Sequence, residues 1–259
     1  MQSKGGLEKL TSSTEILSLA RAIEERYGGN STGIDILPIE TRGVAACRAE
    51  WSAEEERWYI MYTPESPPHD HVLCHELMHI ILFIEGFPGA CFSQWLTQRP
   101  WHKDMADRAF NLCHHLEVWP LCESFGFSQE EYYSGVIATE VAPAVGSRNF
   151  FERLGPRQGD IQRFYHCCES LLSPASNDSK NALWAAIKKG YPQLLEPVQE
   201  YCAACCERLP LTPESFMSAA NMLFGPLNLP PGSVTLETYY YGHLTPNFRK
   251  VVLGNRFGI

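Results

Sequence analysis

Two histidines and a glutamate stand together in the segment His75-Glu76-Leu77-Met78-His79. On a helix, residues four apart lie on the same face, so His75 and His79 can bind one small cation together. Glu76 lies about 100° round the helix from His75, close enough to reach a water molecule on that cation without being a ligand. This HExxH spacing is typical of zinc peptidases, and it predicts one catalytic Zn²⁺ ion with Glu76 as the general base.

The residues around this motif favour the metal interpretation over a simpler one. Chance matches to the motif are common, and the simpler interpretation is an amphipathic helix that carries two surface histidines and a solvated Glu76. Most other positions of the segment are apolar, which predicts a buried helix. The apolar positions are Val72, Leu73, Leu77, Met78, Ile80, Ile81, Leu82, Phe83 and Ile84. Buried imidazoles and a buried carboxylate need partners, and a divalent metal supplies one.

A third metal ligand must come from elsewhere in the chain. Catalytic zinc usually has three protein ligands and one water molecule. The segment from Asn111 to Val118 carries His114, His115 and Glu117 within two predicted helical turns. Helix geometry alone leaves the choice between the two histidines open. The histidines at positions 69, 71 and 102 fall in predicted loops.

Charge and composition exclude several classes of function. The chain has 259 residues, a formal net charge of -9 and no cluster of Lys and Arg, which argues against binding to nucleic acid or to an anionic membrane. Residues 1–30 contain no apolar run of the signal-peptide kind, and the most apolar segment, Val72 to Phe87, is too short to span a bilayer. We expect a cytoplasmic protein whose partner is a protein or peptide substrate.

The cysteines raise the question of a second metal site. Without an export signal, the ten cysteines are expected to be reduced thiols or metal ligands. Five of them form two sequence clusters, Cys167, Cys168, Cys202, Cys205 and Cys206. Both clusters fall in predicted amphipathic helices, where cysteines often serve as small packing groups, so packing is the favoured interpretation and a second zinc site the alternative.

The N-terminal half is predicted to contain both strands and helices. A helix is expected from Thr14 to Tyr27, and a short strand from Ile34 to Ile39. The runs Val44 to Trp51 and Arg57 to Thr63 flank a charged turn and predict an antiparallel hairpin. The motif helix follows, and a second helix is expected from Lys103 to about Phe125, kinked or interrupted by Pro120.

The C-terminal half is predicted to be mainly helical. Helices are expected at about 129–140, 159–173, 179–190, 193–208 and 213–224, and an irregular cap or a late strand from residue 230 onward. We therefore predict an α+β protein with a metal-binding region at 1–128 and a helical region at 129–259, packed as one compact unit. The residues Tyr239, Tyr240, Tyr241 and His243 could donate a hydrogen bond to an oxyanion, although such aromatic runs more often pack.

The stretch from Arg57 to Phe127 resembles a group of uncharacterised bacterial HExxH proteins. Those proteins have a strand, the metal helix, an Asn-x-x-x-His helix, a hydrophobic residue before a proline, and a Gly-Phe pair. The matching elements here are Trp58-Tyr59-Ile60, His75 to His79, Asn111 to His115, Trp119-Pro120 and Gly126-Phe127. More distantly, the order helix, strand, hairpin and HExxH helix is similar to the ImmA/IrrE group of bacterial metallopeptidases, over roughly half of the chain.

This resemblance implies a zincin-like fold, in which a small mixed sheet with a hairpin packs on the HExxH helix. It implies His115 as the third ligand. The ImmA/IrrE proteins place an acidic side chain there, which leaves Glu117 and Glu140 as competitors. It also implies that the hairpin supplies an edge strand beside the cleft, and the strand Arg57 to Thr63 is expected to pair with an extended substrate.

The function predicted from these features is zinc-dependent hydrolysis of peptide bonds, with Glu76 as the general base and His75, His79 and His115 as metal ligands. One alternative is a non-catalytic module, stabilised by zinc, whose helical half binds a protein partner. Another is a metal-dependent amidohydrolase that acts on a small amide. An open water position on the metal favours catalysis, whereas a closed shell of four ligands favours the non-catalytic module.

Overall fold

The computed structural model describes residues 5–27, 34–39, 47–52, 54–55, 57–146 and 155–237. Over these residues the protein is α+β, mainly helical, with one four-stranded mixed sheet and one two-stranded sheet. The chain divides into two compact units, formed by residues 1–89, 121–127 and 237–259, and by residues 90–120 and 128–236. None of the described helices is long and apolar enough to cross a membrane.

The first unit contains the four-stranded sheet. Its strands are β1 (Gly5–Gly6), β2 (Ile34–Pro38), β3 (Cys47–Ser52) and β4 (Arg57–Tyr62), in the order β1-β2-β4-β3. Strands β3 and β4 pair in antiparallel register, with Trp51 opposite Trp58, so the predicted hairpin is confirmed for the described residues. Strand β2 pairs with β1 in antiparallel and with β4 in parallel orientation.

The prediction that the strand from Arg57 to Thr63 lies at the edge of the sheet is wrong. Strand β4 is central, because β2 pairs along one side of it and β3 along the other. The sequence shows the hairpin but not the parallel partner, since nothing local in β2 specifies which strand it joins. Among the described strands, β3 is the hairpin strand at the sheet edge.

Two helices accompany this sheet in the first unit. Helix α1 (Thr14–Tyr27) buries Ile16, Leu19 and Ile23, a spacing of three and four that matches one helical face. Helix α2 (Asp70–Ile84) carries the HExxH motif, and at its start the Thr11 hydroxyl donates a hydrogen bond to the Asp70 carboxylate.

A glycine closely follows the end of helix α2. Gly86 has φ of 94°, a left-handed conformation that glycine adopts without steric cost. The N–H groups of Gly86 and Phe87 donate to the carbonyls of Phe83 and Leu82. These bonds satisfy carbonyls that the last helical turn would otherwise leave without a partner, which fixes where the motif helix stops.

The second unit is mainly helical, in agreement with the prediction for this part of the chain. The elements that lie wholly or mostly in it are β5 (Gly89–Phe92), α3 (Gln94–Thr97), α4 (Pro100–Ser124), α5 (Glu130–Val136), α6 (Ala142–Gly146), α7 (Gly155–Leu172), α8 (Asn177–Gly190), α9 (Leu195–Cys206), α10 (Pro213–Phe224) and β6 (Val234–Glu237). A π-helical turn, Ile137–Val141, joins α5 to α6 where one helix was predicted. The late strand, β6, pairs with β5, a strand that was not predicted.

Helix α4 is one continuous helix that belongs to both units, since its last turn, Leu121–Ser124, is part of the first. Pro120 lies inside the helix and does not interrupt it. Its side chain is exposed. The helix is followed by Gly126, whose φ of 89° again requires the left-handed region.

Two glycines test this account of helix termination. An alanine Cβ at either Gly126 or Gly135 would meet no atom within 4 Å, so only the backbone distinguishes them. Gly126→Ala places a side chain at positive φ, and we expect a loss of about 1 kcal/mol in unfolding free energy. Gly135→Ala lies within α5 and should add about 0.5 kcal/mol. Urea denaturation of both variants measures this, and a loss of similar size in both would contradict it.

Candidate metal centre

Helix α2 is buried on nearly all sides. From Leu73 to Ile84, only His75, His79 and Phe83 are not fully buried, and they are spaced four residues apart. The open positions therefore form one stripe along the helix, and both motif histidines lie on it. Between Leu73 and Ile84, a ligand or a metal ion could reach α2 along this stripe.

The two motif histidines are spaced as a metal would require. Their Nε2 atoms are 3.2 Å apart, and the ring centroids are 4.9 Å apart at 70°. Two nitrogens on a tetrahedral zinc ion, each at about 2.0–2.1 Å from the metal, lie about 3.3 Å apart. The observed nitrogen distance fits such an ion.

A third imidazole joins this pair. One ligand nitrogen from each of His75, His79 and His115 lies within 4.8 Å of the other two. Within the described parts of the chain, no other group of three or more His, Cys, Asp or Glu side chains is placed to hold a metal ion. Three neutral nitrogens are a donor set found in catalytic zinc sites, so the residues fit the proposed ion.

His115 shares one face of α4 with Cys122, a residue of the first unit. Cys122, near the end of α4, forms a thiol hydrogen bond with Cys74, the residue before His75. Both cysteines are fully buried. His115 is seven residues before Cys122, which places the two side chains on the same face of α4.

The neighbouring histidine, His114, has a different environment. It is 1% exposed, and its ring lies 4.8 Å from the ring of Phe110 and 5.0 Å from that of Phe216. These contacts are all within the second unit and make His114 part of an aromatic core. His114 and His115 leave the helix in directions about 100° apart, and of the two only His115 belongs to the three-histidine group.

The acidic competitors are also placed elsewhere. Glu117 is buried, and its Oε1 accepts a hydrogen bond from the backbone N–H of Leu211. Glu140 is exposed on the π-helical turn. Neither belongs to the three-histidine group. The expectation of loops for the other histidines is wrong for His71, which lies in the first turn of α2, and for His102, which lies in the first turn of α4. The rings of His69 and His71 stack on each other, with ring centroids 5.8 Å apart.

Glu76 is held in place by the hairpin. Its side chain is buried, and Oε2 accepts a hydrogen bond of 2.7 Å from the backbone N–H of Ala49 in β3. Burial raises the pKa of Glu76 to about 8, although the Ala49 bond and the positive charge of Arg48 act in the opposite direction. A carboxylate with a raised pKa is a stronger base than one in water, which suits proton transfer near neutral pH.

The bond from Ala49 also shows which way the edge strand faces. In an antiparallel pair, residues alternate between those that bond to the partner strand and those whose N–H and C=O point away from it. The Ala49 N–H points to Glu76, so its register partner Ile60 does not receive it. By alternation, Cys47, Ala49 and Trp51 direct their backbone groups to the outer edge, beside Glu76.

The surroundings of His115 include residues that sequence reasoning missed. The ring of His115 lies 5.2 Å from that of Trp119, whose indole N–H donates to the Tyr133 hydroxyl at 3.0 Å. The Nδ1 atom of His115 is 4.0 Å from a carboxylate oxygen of Glu169 in α7. Trp119 is one helical turn from His115, and this spacing could have indicated the contact between the two rings. No local signal in the sequence connects Glu169 to His115.

The clustered cysteines do not assemble a second group of metal ligands among the described residues. All ten cysteines are free thiols. Cys168 forms a thiol hydrogen bond with Cys202, and burial is the largest cause that raises the pKa of Cys168. A thiol that stays protonated is a poor metal ligand, so the packing interpretation is favoured. Tyr239, Tyr240, Tyr241 and His243 lie outside the described residues.

Comparisons with known proteins add no further assignment. No protein-family model, curated protein or solved structure matches this chain. The fold class therefore rests on the structure itself, and the metal site on the geometry of the three histidines.

The two adjacent histidines give a direct test of the ligand set. His115→Ala should weaken zinc binding by more than about 100-fold, since loss of a ligand costs more than loss of a residue that supports one. His114→Leu, a change inside the aromatic core, should keep the wild-type zinc affinity. Competition with a chromophoric chelator measures both constants. The reverse result, with affinity lost only in His114→Leu, would assign the third ligand to His114.

His166 on α7 predicts a pH dependence of stability. Burial, and then the positive charge of Arg108, lower the pKa of His166 to about 4. Between pH 6.5 and 4, the His166 ring is therefore protonated in the unfolded chain but neutral in the folded chain. The contribution of neutral His166 to the unfolding free energy is complete above pH 6.5 and is lost as the pH falls. This titration lowers the unfolding free energy by about 2 kcal/mol between pH 7 and pH 5.

The variant His166→Leu removes this titration. Its unfolding free energy should fall less between pH 7 and pH 5 than that of the wild type, by about 2 kcal/mol. Denaturant titrations at the two pH values give the difference. Parallel losses in the two proteins would mean that His166 does not carry the effect.

Proposed function

We propose that this protein is a zinc-dependent metallopeptidase of the zincin-like kind, in which His75, His79 and His115 hold the ion and Glu76 is the general base. One observation carries the proposal: ligand nitrogens of the three histidines lie within 4.8 Å of one another. Glu76, which adjoins His75 on α2, is buried and oriented by a backbone hydrogen bond. The spacing of the motif and the open stripe on α2 support the same conclusion.

The chemistry assigned to each residue follows from its position. A zinc ion, when bound, polarises the scissile carbonyl and lowers the pKa of a water molecule. Glu76 accepts the proton of the attacking water and passes it to the leaving amide nitrogen. Since Oε2 of Glu76 is held by the Ala49 N–H, Oε1 is the oxygen that exchanges this proton.

Strand β3 supplies the surface for an extended substrate. Its outer edge carries the backbone groups of Cys47, Ala49 and Trp51, and the Ala49 N–H already contacts the general base. A peptide that pairs with this edge would run past Glu76 in an extended conformation. The substrate is therefore an extended segment whose backbone groups are free to pair, such as an unfolded or flexible part of a protein, because a helix and the interior strands of a sheet have already paired these groups.

The non-catalytic alternative requires a different number of protein ligands on the zinc ion. Structural zinc sites have four protein ligands, whereas catalytic sites have three and leave one position for water. Within the parts of the chain that the structure describes, three side chains form the group and a fourth does not join it. This count favours hydrolysis. No feature of the described residues favours a small amide over a peptide.

The decisive variant is Glu76→Gln, which removes the base and keeps the size of the side chain. Zinc content should stay at the wild-type value, while kcat/KM on an unfolded protein substrate should fall by about 100- to 10,000-fold. Glu85→Gln is the matched control, because Glu85 is also buried and follows the last residue of α2 but has no place in the mechanism. It should retain activity.

Activity is measured by release of peptide fragments, with a small-amide substrate in parallel. Full hydrolysis by Glu76→Gln with zinc bound would show that Glu76 is not the base. Zinc-loaded wild-type protein that hydrolyses neither substrate would favour the structural module. Cleavage of the small amide alone would assign the site to an amidohydrolase.

A further inference from the structure

A carboxylate on α7 lies beside the third histidine of the proposed site. Oε1 of Glu169 is 4.0 Å from Nδ1 of His115, and Oε2 of the same carboxylate is ion-paired with the guanidinium of Arg108. The two oxygens thus face two different partners. All three residues belong to the second unit, so this arrangement is internal to it.

The geometry of α4 explains why one carboxylate can meet both partners. Arg108 and His115 are seven residues apart, which is two helical turns, so their side chains leave α4 on the same face. Glu169 approaches that face from α7. The side chains of Arg108, Glu169 and His115 are 30%, 21% and 14% exposed, so the cluster is largely shielded from water and its interactions are screened less than at a free surface.

We propose that Glu169 is a positioning residue for His115: it accepts from the Nδ1–H of the ring, so that Nε2 is presented to the metal, and Arg108 holds the carboxylate in place. This inference rests on the proposed function. Metal-binding histidines usually donate their second ring N–H to a carboxylate or carbonyl, which fixes the tautomer and the direction of the ring. The 4.0 Å separation is an ion-pair distance that a small rotation of the ring converts into a hydrogen bond.

The arrangement has a specific role because His115 differs from the other two histidines. His75 and His79 are oriented by one helix that is buried around them. His115 comes from another helix, and its side chain must be directed separately. A carboxylate fixed by an arginine restricts the ring before the metal arrives, so less conformational entropy is lost on binding.

The experiment measures zinc affinity, not turnover. Glu169→Ala should raise the zinc dissociation constant by about 10- to 100-fold, as is usual when the partner of a metal-binding histidine is removed. Glu169→Gln should show a smaller increase, because its amide oxygen still accepts a hydrogen bond but carries no charge. Competition with a chromophoric chelator gives each constant, and the absorption spectrum of the Co²⁺-substituted protein reports the geometry of the ligand shell.

The matched control is Asp160→Ala. Asp160 is also an acidic residue on α7, and it pairs with an arginine, Arg163, at 2.7 Å. It has no contact with His115 among the ion pairs of the described residues. Its variant should keep the wild-type zinc affinity and the wild-type cobalt spectrum.

The outcomes separate this inference from the proposed function. If the wild-type protein binds no zinc, the metal site itself is overturned. If the wild type binds zinc and Glu169→Ala binds it equally well, the site stands and the role of Glu169 is overturned. Equal losses in Glu169→Ala and Asp160→Ala would also overturn it, because the carboxylate would then act only through the stability of α7.

Discussion

The burial of helix α2 is the constraint on which the rest of the site depends. From Leu73 to Ile84, the residues of this helix are mostly apolar and buried, and one stripe with His75 and His79 remains partly exposed. A helix surrounded in this way cannot rotate without exposing its apolar side chains, which would cost about 25 cal/mol for each Å² exposed. The direction of the two imidazoles is therefore set by packing, before any metal is considered. The 3.2 Å between their nitrogens is a product of that packing.

Features that depend on neighbouring residues could be predicted from the sequence. The motif helix and the hairpin follow from spacing and turn chemistry, and the structure confirms both. The parallel pairing of β2 with β4 has no such local signal, and the edge strand was consequently assigned to the wrong half of the hairpin. Pairing between distant strands depends on tertiary packing, which short-range patterns do not contain.

The same division applies to the candidate site. Five consecutive residues of the sequence contain His75, Glu76 and His79, so this part of the site could be recognised from one predicted helix. His114 and His115 are adjacent in the sequence, and only the folded chain shows that His115 joins the three-histidine group while His114 packs against Phe110 and Phe216. The carboxylate of Glu169 belongs to a later helix, and only the folded chain brings it to His115.

The hydrogen bond between Ala49 and Glu76 connects the sheet edge directly to the proposed general base. In a peptidase built this way, a segment that docks on β3 out of register would disturb the very strand that orients the carboxylate. Poorly matched sequences would then be penalised in the rate of bond cleavage more than in the strength of association. Selectivity would arise from backbone fit, and side-chain pockets would play the lesser part.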